Sequence, residues 1–145
     1  MQFKVKKLDE RAIIPTYATA HSAGADLYNM EDCPLEILPH ETVMVKTGLA
    51  IEIPDGYVGL VFARSGIASK RGLAPANKVG VIDSDYRGEW MVALHNHSEI
   101  PATVDGGERI AQVVVVPYVQ GCFTEVAELS DTERGEGGFG STGKK

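Results

Sequence analysis

The chain has 145 residues, of which 43% are hydrophobic and 23% are charged, as is typical of one globular domain with its own core. Its 20 acidic and 14 basic residues give a net charge of −6, which argues against non-specific binding of nucleic acid. No apolar run approaches the roughly 20 residues of a membrane span, and the first residues lack the apolar core of a signal peptide. We therefore expect a cytoplasmic protein with neither a membrane nor a nucleic-acid partner.

Short segments with the composition of β-strands recur along the chain, separated by proline and glycine. They include residues 3–5, 25–28, 42–47, 49–53, 57–63 and 110–116. About ten short strands at this spacing predict an all-β fold of the sandwich, barrel or jelly-roll type.

One segment, residues 66–72, has a different composition. It contains helix formers, has its basic residues late and ends in Gly72. This pattern predicts one short helix after Ser65, with Ser65 as its N-cap. Arg64 precedes it, and a helix start beside an arginine suits an anion, because the free N–H groups and the helix dipole favour negative charge. A capped helix without a ligand is the alternative.

The central stretch, residues 77–94, contains the strongest candidate for a functional loop. Residues 79–82 and 90–94 have strand composition and enclose seven residues, 83–89, which are mostly charged or hydroxylic and include Gly88 near their end. The pattern predicts a long β-hairpin with acidic side chains at its mouth. A solvated turn is the alternative, because Asp, Ser and Gly favour turns for backbone reasons alone.

The last twelve residues, 134–145, contain five glycines. Such a segment buries too little surface to order itself, so the sequence predicts a mobile tail after a domain of residues 1–133. A frayed terminus is the alternative. However, Phe139 is a large apolar side chain without a local partner, and its polar neighbours suit phosphate oxygens. The tail is therefore a candidate lid over a ligand.

Five segments of the chain together resemble the trimeric dUTPase family, the dUTP nucleotidohydrolases. They read SAGADLY from residue 22, ARSGIA from residue 63, Asn77 with GVIDSDYRGE from residue 80, GERIAQ from residue 107, and RGEGGFGSTG from residue 134. The resemblance implies a jelly-roll-like β-clip fold and a homotrimer with active sites at the subunit interfaces. It also implies Mg²⁺-dependent hydrolysis of dUTP to dUMP and pyrophosphate, which keeps dUTP low and supplies dUMP for thymidylate synthesis.

The same resemblance implies roles for individual residues. Asp83 would hold the attacking water and the sugar 3′-hydroxyl, and Tyr86 would stack under the deoxyribose, where it leaves no room for a 2′-hydroxyl. Uracil would be recognised by main-chain groups of Val81, Ile82 and Met91, together with the side-chain amide of Asn77. Other residues would contact the phosphates, namely Arg64, Ser65, Gly66 and Gln112.

Two further roles follow from the resemblance. Asp26 would bind waters in the Mg²⁺ shell, while the triphosphate holds the ion itself. Residues of the tail would close over the nucleotide, namely Arg134, Phe139, Ser141 and Thr142. These roles agree with the general needs of phosphoryl transfer, which are an oriented water, neutralised charge and a dry site.

Two other functions remain open at the level of the sequence. A dCTP deaminase of the same fold would need an acid/base group, usually Glu, beside C4 of cytosine rather than an Asp aimed at the α-phosphorus. A nucleotide-sensing protein could keep the fold without catalysis. The presence of Asp83, Arg64 and Arg134 favours hydrolysis over both.

Overall fold

The computed structural model describes residues 1–138, which contain twelve strands and one helix. The strands are β1 (Lys4–Lys7), β2 (Thr16–Tyr17), β3 (Ala25–Tyr28), β4 (Leu35–Ile37), β5 (Thr42–Lys46), β6 (Leu49–Glu52), β7 (Tyr57–Phe62), β8 (Leu73–Pro75), β9 (Gly80–Ile82), β10 (Met91–Asn96), β11 (Ala102–Val104) and β12 (Arg109–Pro117). The helix is α1 (Ser65–Arg71), between β7 and β8. The prediction of an all-β fold with one short helix is confirmed.

The strands pair in four antiparallel groups. These are β1-β6, β5-β10-β8, β11-β4 and a five-stranded sheet in the order β2-β3-β12-β7-β9. Together they enclose one core of aliphatic side chains with Trp90, which is 3% exposed. In β10 every second residue is buried, because successive side chains of a strand point to opposite faces. The odd-numbered residues of β10 therefore face away from the core.

The helix ends where the sequence predicts but starts differently. Gly72 is its C-cap in the left-handed region, with φ of 68°. The prediction that Ser65 is the N-cap is wrong, because Ser65 is already helical and Arg64 holds the cap position without a side-chain cap. The Arg64 side chain instead reaches Asp26. Among residues 1–138, no helix combines the length and the apolar character that crossing a membrane requires.

The predicted hairpin over residues 79–94 is wrong. β9 pairs with β7, and β10 pairs with β5 and β8. Alternating sequence specifies that a segment is a strand, but it does not specify the partner. Here the residue before β10 bonds elsewhere, since the Trp90 N–H donates to the carbonyl of Leu49 at 2.8 Å. The two strands therefore stand apart, in different sheets.

The last strand ends at Pro117, and residues 118–138 contain neither helix nor strand. Large apolar side chains in this segment project into solvent: Val119 is 95% exposed, Phe123 100% and Leu129 87%. The predicted boundary at residue 133 and the mobile lid stay predictions. Residues 139–145, which include Phe139, Ser141 and Thr142, lie outside the described part of the chain.

Candidate active site

A cleft of about 270 Å³ separates β9 from β10, and we call it the Asp83 cleft. It unites the residues that were expected to hold the base, the sugar and the water. These are Asn77, Val81, Ile82, Asp83, Tyr86 and Met91. It is also lined by Met44, Val61, Glu89 and Trp90, for which the sequence predicts no role.

The cleft is bordered by main-chain groups because its two strands do not pair with each other. β9 is the edge strand of its sheet, so its outer backbone groups have no strand partner. In β10 the carbonyl of Ala93 accepts the N–H of Ala76 at 2.7 Å. Alternate residues of a strand direct their backbone groups to the same side, so the N–H and carbonyl of Met91 point to the same side of β10 as the carbonyl of Ala93. At Met91 that side is free, because β8 does not extend so far. The cleft thus presents hydrogen-bonding groups in a strand-like arrangement.

The acidic loop between the strands, residues 83–89, folds back on itself. The N–H of Tyr86 donates to the carbonyl of Asp83 at 3.2 Å, and the Tyr86 hydroxyl donates to the carbonyl of Glu89 at 3.1 Å. A Cβ at Gly88 would meet the far end of the Tyr86 side chain, so glycine leaves room for the ring in this position. The Asp83 side chain is exposed at the loop's start, where a carboxylate can reach a bound ligand and its water.

A second cleft, of about 370 Å³, surrounds Asp26, and we call it the Asp26 cleft. Asp26 is 5% exposed, and both of its oxygens accept hydrogen bonds from arginines. Arg64 Nε lies 2.7 Å from Oδ1, and Arg109 Nη1 lies 3.1 Å from Oδ2. Two guanidinium groups against one carboxylate leave a net positive charge, which suits an anion.

Two other residues expected at the phosphates, Ser65 and Gln112, also line the Asp26 cleft. Gln112 Nε2 donates to the carbonyl of Ala63 at 2.9 Å, and its side chain fills the space above Gly24, where a Cβ would collide with it. Gly66 is exposed next to Ser65, and nothing lies within 4 Å of a Cβ placed there. The main chain at the start of α1 is therefore open to a ligand.

The far end of α1 is fixed by Arg71. Its guanidinium donates to the carboxylate of Glu108 and to the carbonyl of Thr103, the latter at 2.6 Å. The hydrogen bond from Arg71 lowers the pKa of Glu108, so the carboxylate stays ionised at neutral pH and the pair persists. Because Arg71 ends the helix that Arg64 begins, this pair also fixes Arg64 relative to β12.

The two clefts lie on opposite faces of the five-stranded sheet. Asp26, Gln112 and Phe62 are register partners across β3, β12 and β7, and all three line the Asp26 cleft. Val61 is the next residue of β7 and lines the Asp83 cleft. Since neighbouring residues of a strand point to opposite faces, the residues expected to form one site are divided into two groups within one chain.

The structure also brings to the two clefts residues for which the sequence predicts no role. Arg109 belongs to the GERIAQ segment, and its bond to Asp26 was not expected, because 83 positions separate the two residues. Glu89, the last acid of the loop, lines the Asp83 cleft, and its position in the acidic stretch does not distinguish it from Asp85 in the sequence. Arg134, which is predicted to belong to the lid, lies at neither cleft; it is exposed, and its Nε donates to the carbonyl of Gly137 at 2.8 Å.

Comparison with known proteins gives consistent matches along the chain. The sequence model of the dUTPase family matches residues 10–143. A deoxyuridine 5′-triphosphate nucleotidohydrolase of Nautilia profundicola is 52% identical over 144 residues, which cover 99% of this chain and 100% of that protein. One from Hydrogenobaculum sp. is 48% identical over 145 residues and matches over the full length of both.

Solved structures give the same result for the fold. A mutant dUTPase of Staphylococcus bacteriophage 80alpha with dUpNHpp has a TM-score of 0.90 and 32% identity, with 98% of each chain covered. A mutant dUTPase of phage phi11, described with a structural Mg(II) ion, has a TM-score of 0.81 and 26% identity, with 90% of this chain and 100% of that chain covered.

These similarities extend over nearly the whole chain and agree with an all-β fold that carries an acidic loop at one cleft and arginines at another. The protein is a hydrolase that acts on a nucleotide. The chain belongs to the dUTPase family, and its activity is that of a dUTP diphosphatase.

Proposed function

We propose that this enzyme hydrolyses dUTP to dUMP and pyrophosphate by attack of an Asp83-activated water on the α-phosphorus, with Mg²⁺ as cofactor. The observation that carries the proposal is the Asp83 cleft, in which the exposed carboxylate of Asp83 stands beside the free edge of β9 and the start of β10, which extends beyond β8. In a cytoplasmic enzyme, this reaction would keep dUTP low and supply dUMP for thymidylate synthesis.

The strand edges of the Asp83 cleft are suited to reading uracil. The O2, N3–H and O4 groups of uracil present an acceptor, a donor and an acceptor, which main-chain groups of Val81, Ile82 and Met91 can match, with the Asn77 amide. Cytosine presents the wrong group at two of these three positions. Leaving buried polar groups unpaired would disfavour it by several kcal/mol, on the order of 10⁴-fold.

Asp83 and Tyr86 are assigned to the sugar and the water. Asp83 would accept a hydrogen bond from the 3′-hydroxyl and take a proton from the attacking water as its oxygen bonds to the α-phosphorus. The bond from that phosphorus to the bridging oxygen then breaks, and pyrophosphate leaves. The Tyr86 ring, folded across Gly88, would lie under the deoxyribose and fill the place of a 2′-hydroxyl.

Replacing Tyr86 with alanine is expected to narrow the preference for dUTP over UTP, because the bulk that excludes the 2′-hydroxyl is lost. The measurement is kcat/KM for both nucleotides. Tyr86→Phe is the matched comparison, since it keeps the bulk of the ring and removes only the hydroxyl bond to Glu89, so its preference should fall between those of the wild type and Tyr86→Ala. If Tyr86→Ala loses stability but keeps the wild-type preference, the ring only packs on its own loop.

The Asp26 cleft would receive the phosphates. Arg64, Ser65, Gly66 and Gln112 stand at its wall or beside it, and its two arginines exceed its one carboxylate in charge. Arginine and free helical N–H groups stabilise phosphate oxygens and the charge that develops on them.

Asp26 would position Mg²⁺ through its waters. A carboxylate has roughly four acceptor sites, and the two arginines occupy two of them. The remaining sites can accept hydrogen bonds from the water molecules around a hydrated Mg²⁺ ion. Within residues 1–138 no cluster of three His, Cys, Asp or Glu side chains could hold a metal. We propose that oxygens of the triphosphate hold the ion itself. When bound, Mg²⁺ neutralises phosphate charge.

We further propose a homotrimer with each active site shared between copies. The positions of the two clefts support this, because they share no lining residue and the five-stranded sheet stands between them within a single chain. An Asp83 cleft from one copy facing an Asp26 cleft from the next would complete the site. The exposed apolar side chains of residues 119–129 also favour contact between copies, since burying them would remove apolar surface from water.

Residues 134–145 are proposed as the lid of this site. Phe139 would stack on the uracil face, and Arg134, Ser141 and Thr142 would reach the γ-phosphate. Ordering each residue costs roughly 1–2 kcal/mol, so contacts to a triphosphate would close the lid better than those to a diphosphate or monophosphate. Closure would exclude water from the reaction.

Assaying the eight common nucleoside triphosphates tests the proposal directly. We expect pyrophosphate release from dUTP with Mg²⁺, strong loss with excess EDTA, and little reaction with the other seven. Ammonia release from dCTP would identify a deaminase instead. In the structure the one Glu beside the cleft, Glu89, directs Oε1 to the N–H of Gly48, which does not favour a role in deamination. Binding of dUTP without turnover would identify a nucleotide sensor.

A further inference from the structure

The loop that carries Asp83 and Tyr86 is tied at its end to the turn between β5 and β6. Glu89 Oε1 accepts the N–H of Gly48 at 2.9 Å. Thr47 Oγ1 donates to the carbonyl of Trp90 at 2.6 Å, and the Trp90 N–H donates to the carbonyl of Leu49 at 2.8 Å. We call these contacts between residues 47–49 and residues 89–90 the loop anchor.

The turn side of the anchor is fixed in place. Gly48 is buried with a φ of 68°, and a Cβ there would collide with Met30 and Ala12. Its carbonyl accepts the N–H of Leu8 at 2.8 Å. The N–H of Gly48 therefore cannot turn to water, and the Glu89 carboxylate is its partner. An unpaired buried donor is costly, so this bond gives Glu89 one preferred position.

The anchor matters because no β-ladder joins the two walls of the Asp83 cleft. The loop leaves β9 in one sheet and enters β10 in another. Its C-terminal end is held at residues 89–90, so the position of the loop over the cleft depends on that anchor. Tyr86 depends on it too, because its hydroxyl bonds to the main-chain carbonyl of Glu89.

We propose that Glu89 is a positioning residue for substrate selection. Its side chain holds the loop end to Gly48, and its main chain holds the Tyr86 ring, so it sets where that ring stands against the sugar. It touches no reacting atom. The inference rests on the proposed role of Tyr86 and adds the residue through which that role is enforced.

Two substitutions of similar size distinguish the hydrogen-bond acceptor of the Glu89 side chain from its bulk. Glu89→Gln keeps an oxygen that can accept the Gly48 N–H, whereas Glu89→Met has nearly the same length and no such oxygen. We expect the Met variant to lose about 10-fold or more in kcat/KM for dUTP, since small displacements of positioning groups are costly. Its preference for dUTP over UTP should narrow, and it should bind dUpNHpp more weakly. The Gln variant should retain most of the wild-type kcat/KM, of the preference for dUTP over UTP and of the affinity for dUpNHpp.

A second pair tests the anchor from the turn. Thr47→Val removes the hydroxyl that binds Trp90 and keeps the shape, while Thr47→Ser keeps the hydroxyl. Thr47→Val should narrow the preference for dUTP over UTP, as Glu89→Met does, whereas Thr47→Ser should leave it unchanged. This pair also decides the matter if Glu89→Met does not fold.

The inference would be overturned if Glu89→Met and Glu89→Gln had the same preference for dUTP over UTP, even if one of them melted at a lower temperature. If Glu89→Met does not fold, the same preference in Thr47→Val and Thr47→Ser would overturn it. That result would make the anchor a purely structural contact. It is distinct from failure of the proposed function, in which the wild-type enzyme itself would not discriminate dUTP from UTP, or Tyr86→Ala would leave the preference unchanged.

Discussion

Replacing Asp83 with asparagine is expected to reduce turnover of dUTP by about 10²–10⁴-fold while binding of dUTP persists. The amide has nearly the same shape but cannot take a proton from water. Folding should be preserved, because the loop contact at this position uses the main-chain carbonyl of Asp83, which accepts the N–H of Tyr86, and the side chain is exposed. The measurements are kcat and the affinity for dUTP.

Asp85→Asn is the matched control, since Asp85 is an exposed acid of the same loop that does not line the Asp83 cleft. Its activity should stay near that of the wild type. Near wild-type turnover in Asp83→Asn would contradict the assignment of the base. Hydrolysis in ¹⁸O water adds an independent check, because attack at the α-phosphorus places the label in dUMP, whereas label in pyrophosphate would mean attack at the β-phosphorus.

Strand composition and alternation were sufficient to predict the all-β fold. β10 illustrates this, because Val92, Leu94 and Asn96 are buried at alternate positions. The composition of residues 66–72 was equally sufficient for the helix and for its end at Gly72. These features are local, since each depends on residues within a few positions of one another.

Pairing was not predictable in the same way. Residues 79–82 and 90–94 flank a loop rich in turn residues, which is the signature of a hairpin, yet each strand bonds to a strand elsewhere in the chain. In this fold the end of the loop is bonded instead to Thr47, Gly48 and Leu49. That contact spans more than forty positions and leaves no periodic signal.

The candidate site shows the same division between local and distant features. Asp83 and Tyr86 could be assigned together because they share one loop. The surroundings of Asp26 could not be read from sequence, since its two arginines lie 38 and 83 positions away. The separation of the clefts does have a sequence basis, because Val61 and Phe62 are neighbours in one strand and must face opposite ways.

That separation leads to a prediction about mixed assemblies. Asp83→Asn should inactivate the Asp83 cleft, and Arg64→Ala should inactivate the Asp26 cleft by removing a cation from the proposed phosphate site. Asp26 keeps Arg109 at 3.1 Å as a partner, so Arg64→Ala should still fold. Each variant alone should be nearly inactive. Mixing the two by co-expression at equal amounts should restore activity.

The amount restored follows from how a shared site is built. If one copy supplies Asp83 and its neighbour supplies Arg64, Asp83 is intact at half of the sites and Arg64 is intact at half of the sites. The two residues come from different copies, so both are intact at about one quarter of the sites. If both residues served one site within a single chain, every chain would carry a defect and mixing would restore nothing. Specific activity near one quarter of the wild type therefore supports sharing, and activity no higher than that of the separate variants contradicts it. A mixture of Asp83→Asn with Asp83→Ala is the control, since no pairing of those chains supplies the carboxylate.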